Sequence, residues 1–297
     1  MELITSVNNQ RVKEVANLKQ KKYRTESGTF FAEGLRAVQE AVQYADVTEL
    51  LYTEAGRLDE VLKAAGNVPA DTKEKSGNRN NANHNNAGTA KKRNEAVNGI
   101  RMYQVDEKVM AKLSDTKAPQ GVLAVIRTPE QNLRKLRPGT ASDNNAPVII
   151  LDRVQDPGNL GTIIRTADAV GALGLILLEG CVDAYSPKVV RASMGSLFHL
   201  PVVQDVTAEE ALTWCYRNGY EPAATALKNA QNVYKADISK KMAFLFGNEA
   251  NGVAEELQAA AETRLFIPMA GLAESMNVAM AAGIILFEGL RQRKFYR

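Results

Sequence analysis

The chain has 297 residues, enough for two ordinary domains, and its 45% apolar and 24% charged residues are the composition of a soluble globular protein. No uninterrupted apolar run approaches the roughly 20 residues that cross a bilayer, and the opening MELITSVNNQRVKEV lacks the apolar core of a signal peptide, so a cytoplasmic protein without a membrane partner is expected. The net charge of +3 says little, but residues 1–147 hold 23 Lys/Arg against 18 Asp/Glu while residues 148–297 hold 14 against 16.

Residues 8–24 carry Val12, Val15, Ala16 and Leu18 at roughly helical spacing, with six Lys/Arg and one Glu between Arg11 and Arg24. Such a basic helix either meets phosphates or presents a solvated face. Phe30–Ala32 reads as a strand, Gly34–Tyr44 as a helix, Val47–Tyr52 as a strand and Leu58–Ala65 as a helix. The segment Asp71–Gly99 interrupts this alternation with eight Asn and almost no apolar side chains, so a disordered surface insertion is expected. Ile100–Val105, Glu107–Leu113 and Gly121–Ile126 resume as strand, helix and strand, completing a small α/β domain over residues 1–127. The polar, proline-bearing stretch 128–147 reads as a linker.

From residue 148 the pattern is strongly α/β. Val148–Leu151 is a continuous apolar strand, Leu160–Val170 a helix, Leu173–Leu178 a strand and Pro187–Ser196 a helix. Val202–Val203, Ala208–Arg217 and Pro222–Ala226 follow as strand, helix and strand. Ala243–Phe246 and Leu265–Ile267 are two further strands, each leading through a Gly-bearing loop to a helix, the last being Asn277–Leu290, which is apolar on nearly every side and reads as buried. Continuous apolar strands between helices imply a parallel sheet covered on both faces. The last two strands are expected side by side, with a ligand at their carboxyl ends.

The chemistry-bearing residues are few. Cys181 and Cys215 have neither CxxC nor disulfide-framework spacing, and with only His84 and His199 no His-centred metal cluster is expected. His199 is a single candidate base or, as its apolar context favours, a core or edge residue. No GKS/GKT P-loop and no GxGxxG after a strand is present, which disfavours Walker NTPases and Rossmann dehydrogenases. Three segments remain: DRVQDPGNLGTIIR at Asp152–Arg165, GNEANGV at Gly247–Val253, and IPMAGLAESMNVAMAAG at Ile267–Gly283. Asn159 is placed to cap the helix that the first one opens. Taken singly, Asn159, Ser275 and Asn277 read as helix caps, Glu249 as a solvated carboxylate and Arg165 as one end of a surface ion pair.

In order and wording these segments resemble the three motifs of the SpoU/TrmH family of RNA ribose 2′-O-methyltransferases, within the SPOUT superfamily, over about residues 148–297. The N-terminal half looks like the family's accessory substrate-binding domain, similar to ribosomal protein L30e, from which the Asn-rich insertion departs. The resemblance implies an α/β SPOUT domain with a C-terminal trefoil knot, S-adenosylmethionine as cofactor with no metal, and a homodimer acting on RNA. It places Gly247, Ile267 and Met276 against the cofactor. It assigns Arg165 to activation of the ribose hydroxyl, and makes Glu249, Ser275, Asn277 and Asn159 the polar residues of the three motifs. The L30e-like half points to ribosomal RNA as substrate. The alternatives are a transfer-RNA ribose methyltransferase and a non-catalytic RNA-binding ribosome assembly factor.

Overall fold

The computed structural model describes residues 3–65, 99–139 and 143–294, and the chain divides into two compact units, Met1–Thr128 and Pro129–Arg297. Most of the expected Asn-rich insertion lies outside the described residues.

The first unit contains β1 (Leu3–Ile4), α1 (Gln10–Asn17), α2 (Lys21–Ser27), β2 (Thr29–Glu33), α3 (Leu35–Tyr44), β3 (Val47–Tyr52) and α4 (Ala55–Ala65). After these come β4 (Arg101–Val105), α5 (Glu107–Leu113) and β5 (Val122–Arg127). The strands form one mixed sheet in the order β1-β4-β3-β5-β2, parallel from β1 to β3 and antiparallel at β5. Val12, Val15 and Leu18 pack with Phe31, Leu51, Val109 and Leu123 in the core.

The basic segment 8–24 is two short helices, and half of its cations turn inward. Arg11 bonds Glu14 and the fully buried Glu49, which Arg101 also holds. Lys19 donates to the carbonyls of Lys112 and Ser114, and the buried Arg24 donates to that of Leu18. A buried carboxylate is tolerated where guanidinium groups satisfy it, so this arrangement builds the unit and leaves fewer charges for phosphate.

The second unit runs β6 (Val148–Leu151), α6 (Pro157–Ala169), β7 (Gly174–Leu178), α7 (Pro187–Ala192), β8 (Val202–Val206), α8 (Ala208–Arg217) and β9 (Glu221–Thr225). It continues with β10 (Gln231–Asn232), β11 (Met242–Phe246), α9 (Glu255–Ala260), β12 (Thr263–Phe266) and α10 (Val278–Lys294). Its seven strands pair in parallel throughout, in the order β10-β12-β9-β11-β6-β7-β8. Every residue of β6, β7 and β11 is buried, as the continuous apolar runs require when both faces are covered. From β6 the chain moves to β7 and β8 on one side, then returns to build β9 and β11 on the other. The carboxyl ends of β6 and β11 therefore meet at a switch point, the usual ligand position in such sheets.

Three expectations change here. β11 and β12 are not neighbours, because β9 lies between them: apolar runs of equal strength do not specify which central strands pair. α10 is not buried on all sides, since Met280 and Phe287 are 60% and 51% exposed. Within the stretch expected as a linker, Leu136 is buried in the core of the second unit, and Gln131 donates to Tyr185 and accepts from the backbone N–H of Gln204.

Candidate active site

The first loop leaves β6 at Asp152, a buried carboxylate. It takes two hydrogen bonds from Arg153, at 2.7 and 2.8 Å, and one from the backbone N–H of Ala254 at 2.8 Å. Arg153 has φ of +54°, a costly conformation for a side chain with a Cβ, and the bidentate bond to Asp152 helps to hold it. The amide of Asn248 donates to the Arg153 carbonyl at 2.9 Å, so the loops after β6 and β11 are tied at two points.

Pro157 starts α6, and Asp156 caps it by accepting the backbone N–H of Asn159 at 2.8 Å. Asn159 is therefore not the cap, as the sequence reading had it. Its side chain bridges instead: Nδ2 donates to Glu249 Oε1 at 2.9 Å, and Oδ1 accepts from Asn277 Nδ2 at 2.9 Å. Asn277 does cap a helix, with Oδ1 accepting the N–H groups of Ala279 and Met280 at the start of α10. Glu249 also faces the backbone N–H groups of Asp156 and Gln155 at 3.4 and 3.5 Å, long and correspondingly weak contacts. Partial burial pushes its carboxyl upward, but the Asn159 amide and these backbone donors outweigh that and hold it below the ordinary glutamate range. One residue from each of the three sequence segments thus joins a single polar group at the switch point.

The second loop folds back on itself. Asn248 and Gly252 exchange backbone hydrogen bonds of 3.1 and 2.8 Å, while Asn248 Oδ1 accepts the N–H groups of Ala250 and Asn251. This closes the turn over Gly247, where a Cβ would lie 2.0 Å from both the Gly252 carbonyl carbon and the Val253 nitrogen. Only glycine fits that approach.

The remaining predicted residues stand apart from this hydrogen-bonded group. Arg165 lies exposed near the end of α6, with no hydrogen bond or ion pair among the described residues. Ile267 is half-buried just beyond β12. Ser275 is exposed, Met276 is 38% exposed immediately before Asn277, and Leu272 in the same loop is fully exposed. A backbone loop, an ionised carboxylate and uncovered apolar side chains are a donor set that fits an adenosyl group bearing a cationic sulfonium. Among the described residues no group of His, Cys, Asp and Glu could hold a metal ion.

His199 Nδ1 lies 2.8 Å from Asp168 Oδ2 with both side chains half-buried. Burial raises the Asp168 carboxyl, but its bonds to His199 and Ser196 pull it below the usual range. Burial pushes the Cys181 and Cys215 thiols up to about 11 and about 12, which leaves them protonated at neutral pH. Sequence reasoning missed Asp152 and Asn248. An acid directly after a continuous apolar strand, and an Asn opening a turn, were the available signals.

The SpoU rRNA Methylase family profile matches residues 146–287, and that of the MRM3-like substrate binding domain matches residues 9–124. The chain is 33% identical over 287 residues to the 23S rRNA (guanosine(2553)-2′-O)-methyltransferase RlmP of Bacillus subtilis, covering 97% of this chain and 98% of that one. An AdoMet-bound rRNA methyltransferase from Sinorhizobium meliloti superposes with a TM-score of 0.79 at 33% identity, over 99% of this chain and 98% of the other. The SpoU methyltransferase AviRb from Streptomyces viridochromogenes, in complex with AdoMet, gives a TM-score of 0.78 at 28% identity over 98% of this chain and 100% of the other. The chain belongs to the SpoU rRNA Methylase family.

Proposed function

We propose that this protein methylates a ribose 2′-hydroxyl of 23S ribosomal RNA with S-adenosylmethionine, in the cytoplasm and as a homodimer whose C-terminal segment is knotted. The observation that carries the reading is the joining of Glu249, Asn159 and Asn277, from three distant segments, at the β6/β11 switch point. The 23S rRNA 2′-O-methyltransferase activity of the Bacillus relative and the AdoMet-bound neighbours support the substrate and the cofactor. Met280 and Phe287, exposed on the otherwise packed α10, support a second copy as the covering surface.

S-adenosylmethionine supplies an already activated methyl group, so the protein's task is largely orientation. The backbone around Gly247, with Ile267 and Met276, would hold the adenosyl portion. Asn159 ties Glu249 and Asn277 together, which would hold the three loops in one geometry around the cofactor. Arg165, exposed on α6, would grip the phosphate beside the target nucleotide bidentately and polarise the hydroxyl. A guanidinium keeps its charge and is a poor base, so the proton leaves late, toward phosphate or water. Ser275 would contact the ribose or the methionyl group from the exposed loop.

The test is methyl transfer from labelled S-adenosylmethionine to RNA from a strain lacking the protein, fractionated by size, with Arg165→Ala alongside. Label at one ribose of 23S RNA, lost in the variant, is the expected result. Label in transfer RNA overturns the substrate, and no label in any fraction, free or as ribosomal precursor, overturns the activity.

A further inference from the structure

The second unit carries a groove of about 570 Å³ between the strap of residues 132–138 and the flank of α8, built from residues that the proposed reaction does not use. Its floor is Trp214, whose ring lies 5.2 Å from that of Tyr220. Arg134, Arg137 and Arg217 line it, all exposed, with Glu210 as the one acid. Glu210 is already committed, since its carboxylate accepts both the backbone N–H and the hydroxyl of Thr207 in the capping box of α8. The guanidinium groups of Arg134 and Arg217 have no ion pair or hydrogen bond among the described residues.

The concentration is local. Residues 129–297 hold 17 Lys/Arg and 18 Asp/Glu, yet this groove sets Arg134 and Arg217, unpaired among the described residues, beside a single acid, whose carboxylate is already bonded to Thr207. Its walls are also fixed. Leu136 is buried where Gly174 leaves room, because a Cβ on that glycine would lie 2.4 Å from the leucine side chain. Asn132 caps the short turn that presents Arg134, accepting its N–H at 2.9 Å. A trough flanking Glu210 to Asn218 is about 12 Å long at 1.5 Å per helical residue, enough for consecutive phosphates of one strand. The planar guanidinium fork matches the geometry of phosphate oxygens and can bind them at two points.

We propose that this groove binds the phosphodiester backbone of the RNA substrate away from the methylated nucleotide, an inference that rests on the reading of RNA as substrate. It supplies affinity and register, and no chemistry. By contrast, the basic segment 8–24 has Arg11, Lys19 and Arg24 engaged within its own unit.

The experiment measures binding of the full-length protein to transcribed 23S RNA across a salt series. Arg134→Gln/Arg217→Gln is expected to weaken binding about tenfold and to flatten the slope of log affinity against log salt by about 1.4, at about 0.7 per single-strand phosphate. Arg134→Lys/Arg217→Lys restores most of the slope. Lys135→Gln, which removes a charge paired with Glu130 beside the groove but outside its lining, leaves both affinity and slope near wild type. Wild-type affinity and slope in the double Gln variant overturn the proposal, as they would if the groove took an acidic protein segment instead. Equal losses in Lys135→Gln also overturn it, by assigning the effect to net charge. A wild-type protein that binds RNA but transfers no methyl defeats the proposed activity alone, and the groove is then judged by the variants. A wild-type protein that binds no RNA defeats both.

Discussion

Asn277 donates to Asn159 at 2.9 Å across 118 positions of the chain, and Asn159 in turn donates to Glu249. One primary amide thus reports the position of the third segment to the second. Its two ends are not interchangeable, because an amide oxygen accepts from Asn277 while an amide nitrogen donates to a carboxylate.

That asymmetry makes Asn159→Asp more damaging than Asn159→Ala. Alanine removes both bonds and costs about 1–2 kcal/mol of stability, whereas aspartate keeps the acceptor for Asn277 but sets a second carboxylate against Glu249. The expected order of kcat at neutral pH is wild type, then Ala, then Asp, with Asp recovering toward Ala as the pH falls to about 5. Equal activities of Ala and Asp at pH 7.5 would show that the bridge does not orient the site.

Gly247→Ala is expected to prevent the turn at 247–252 from closing. A Cβ 2.0 Å from two backbone atoms cannot be relieved by a side-chain rotation, so the loop itself must shift, at a cost of at least about 1–3 kcal/mol. Calorimetric titration with S-adenosylmethionine should show affinity lost by more than tenfold, together with a lower Tm. Gly271→Ala is the control, since a Cβ there meets nothing within 4 Å, and it should bind normally.

Much of the fold was legible because its strands are continuous apolar runs bounded by breakers. Val148–Leu151 and Val47–Tyr52 coincide with observed strands, and Glu107–Leu113 and Ala208–Arg217 with observed helices. Strand order was not legible. Val148–Leu151 and Met242–Phe246 are equally apolar on both faces, and nothing local says that Glu221–Thr225 separates Met242–Phe246 from Thr263–Phe266. The helix start after Asp152 was misread although Asp156-Pro157 marked it, because proline at the first helical position makes the residue before it the cap. The site residues came from the joint wording of three segments. Residue by residue, Asn159 read as a helix cap and Glu249 as a solvated carboxylate, and their partnership is a long-range fact that no periodicity encodes.

Glu249 should make the acid side of the stability profile steeper. Its carboxyl is held below the ordinary range, so its contribution is fully present above the unfolded value of about 4.3 and is lost as the pH falls through the lower folded value. Glu249→Gln should therefore be less stable than wild type near pH 7, and the gap should close as the pH is lowered from about 4.5 toward 3. Thermal unfolding of both proteins across that range checks it, and a gap that stays constant would mean that the charge contributes nothing beyond the shape of the side chain.

Arg165 separates positioning by a planar fork from positioning by charge alone. It is exposed and unpaired among the described residues, so its replacement should leave the fold intact and Tm within about a degree. If it binds phosphate bidentately and polarises the hydroxyl, Arg165→Lys keeps one charge but loses the two-point contact, and kcat should fall about 10²-fold, the usual scale for losing one preorganised donor. Arg165→Ala should fall further, and neither variant should change S-adenosylmethionine affinity. The informative quantity is the ratio of Lys to Ala. Activity near wild type in Lys would reduce the role to a point charge, and equal loss in both would mean that the fork geometry, rather than the charge, carries the effect.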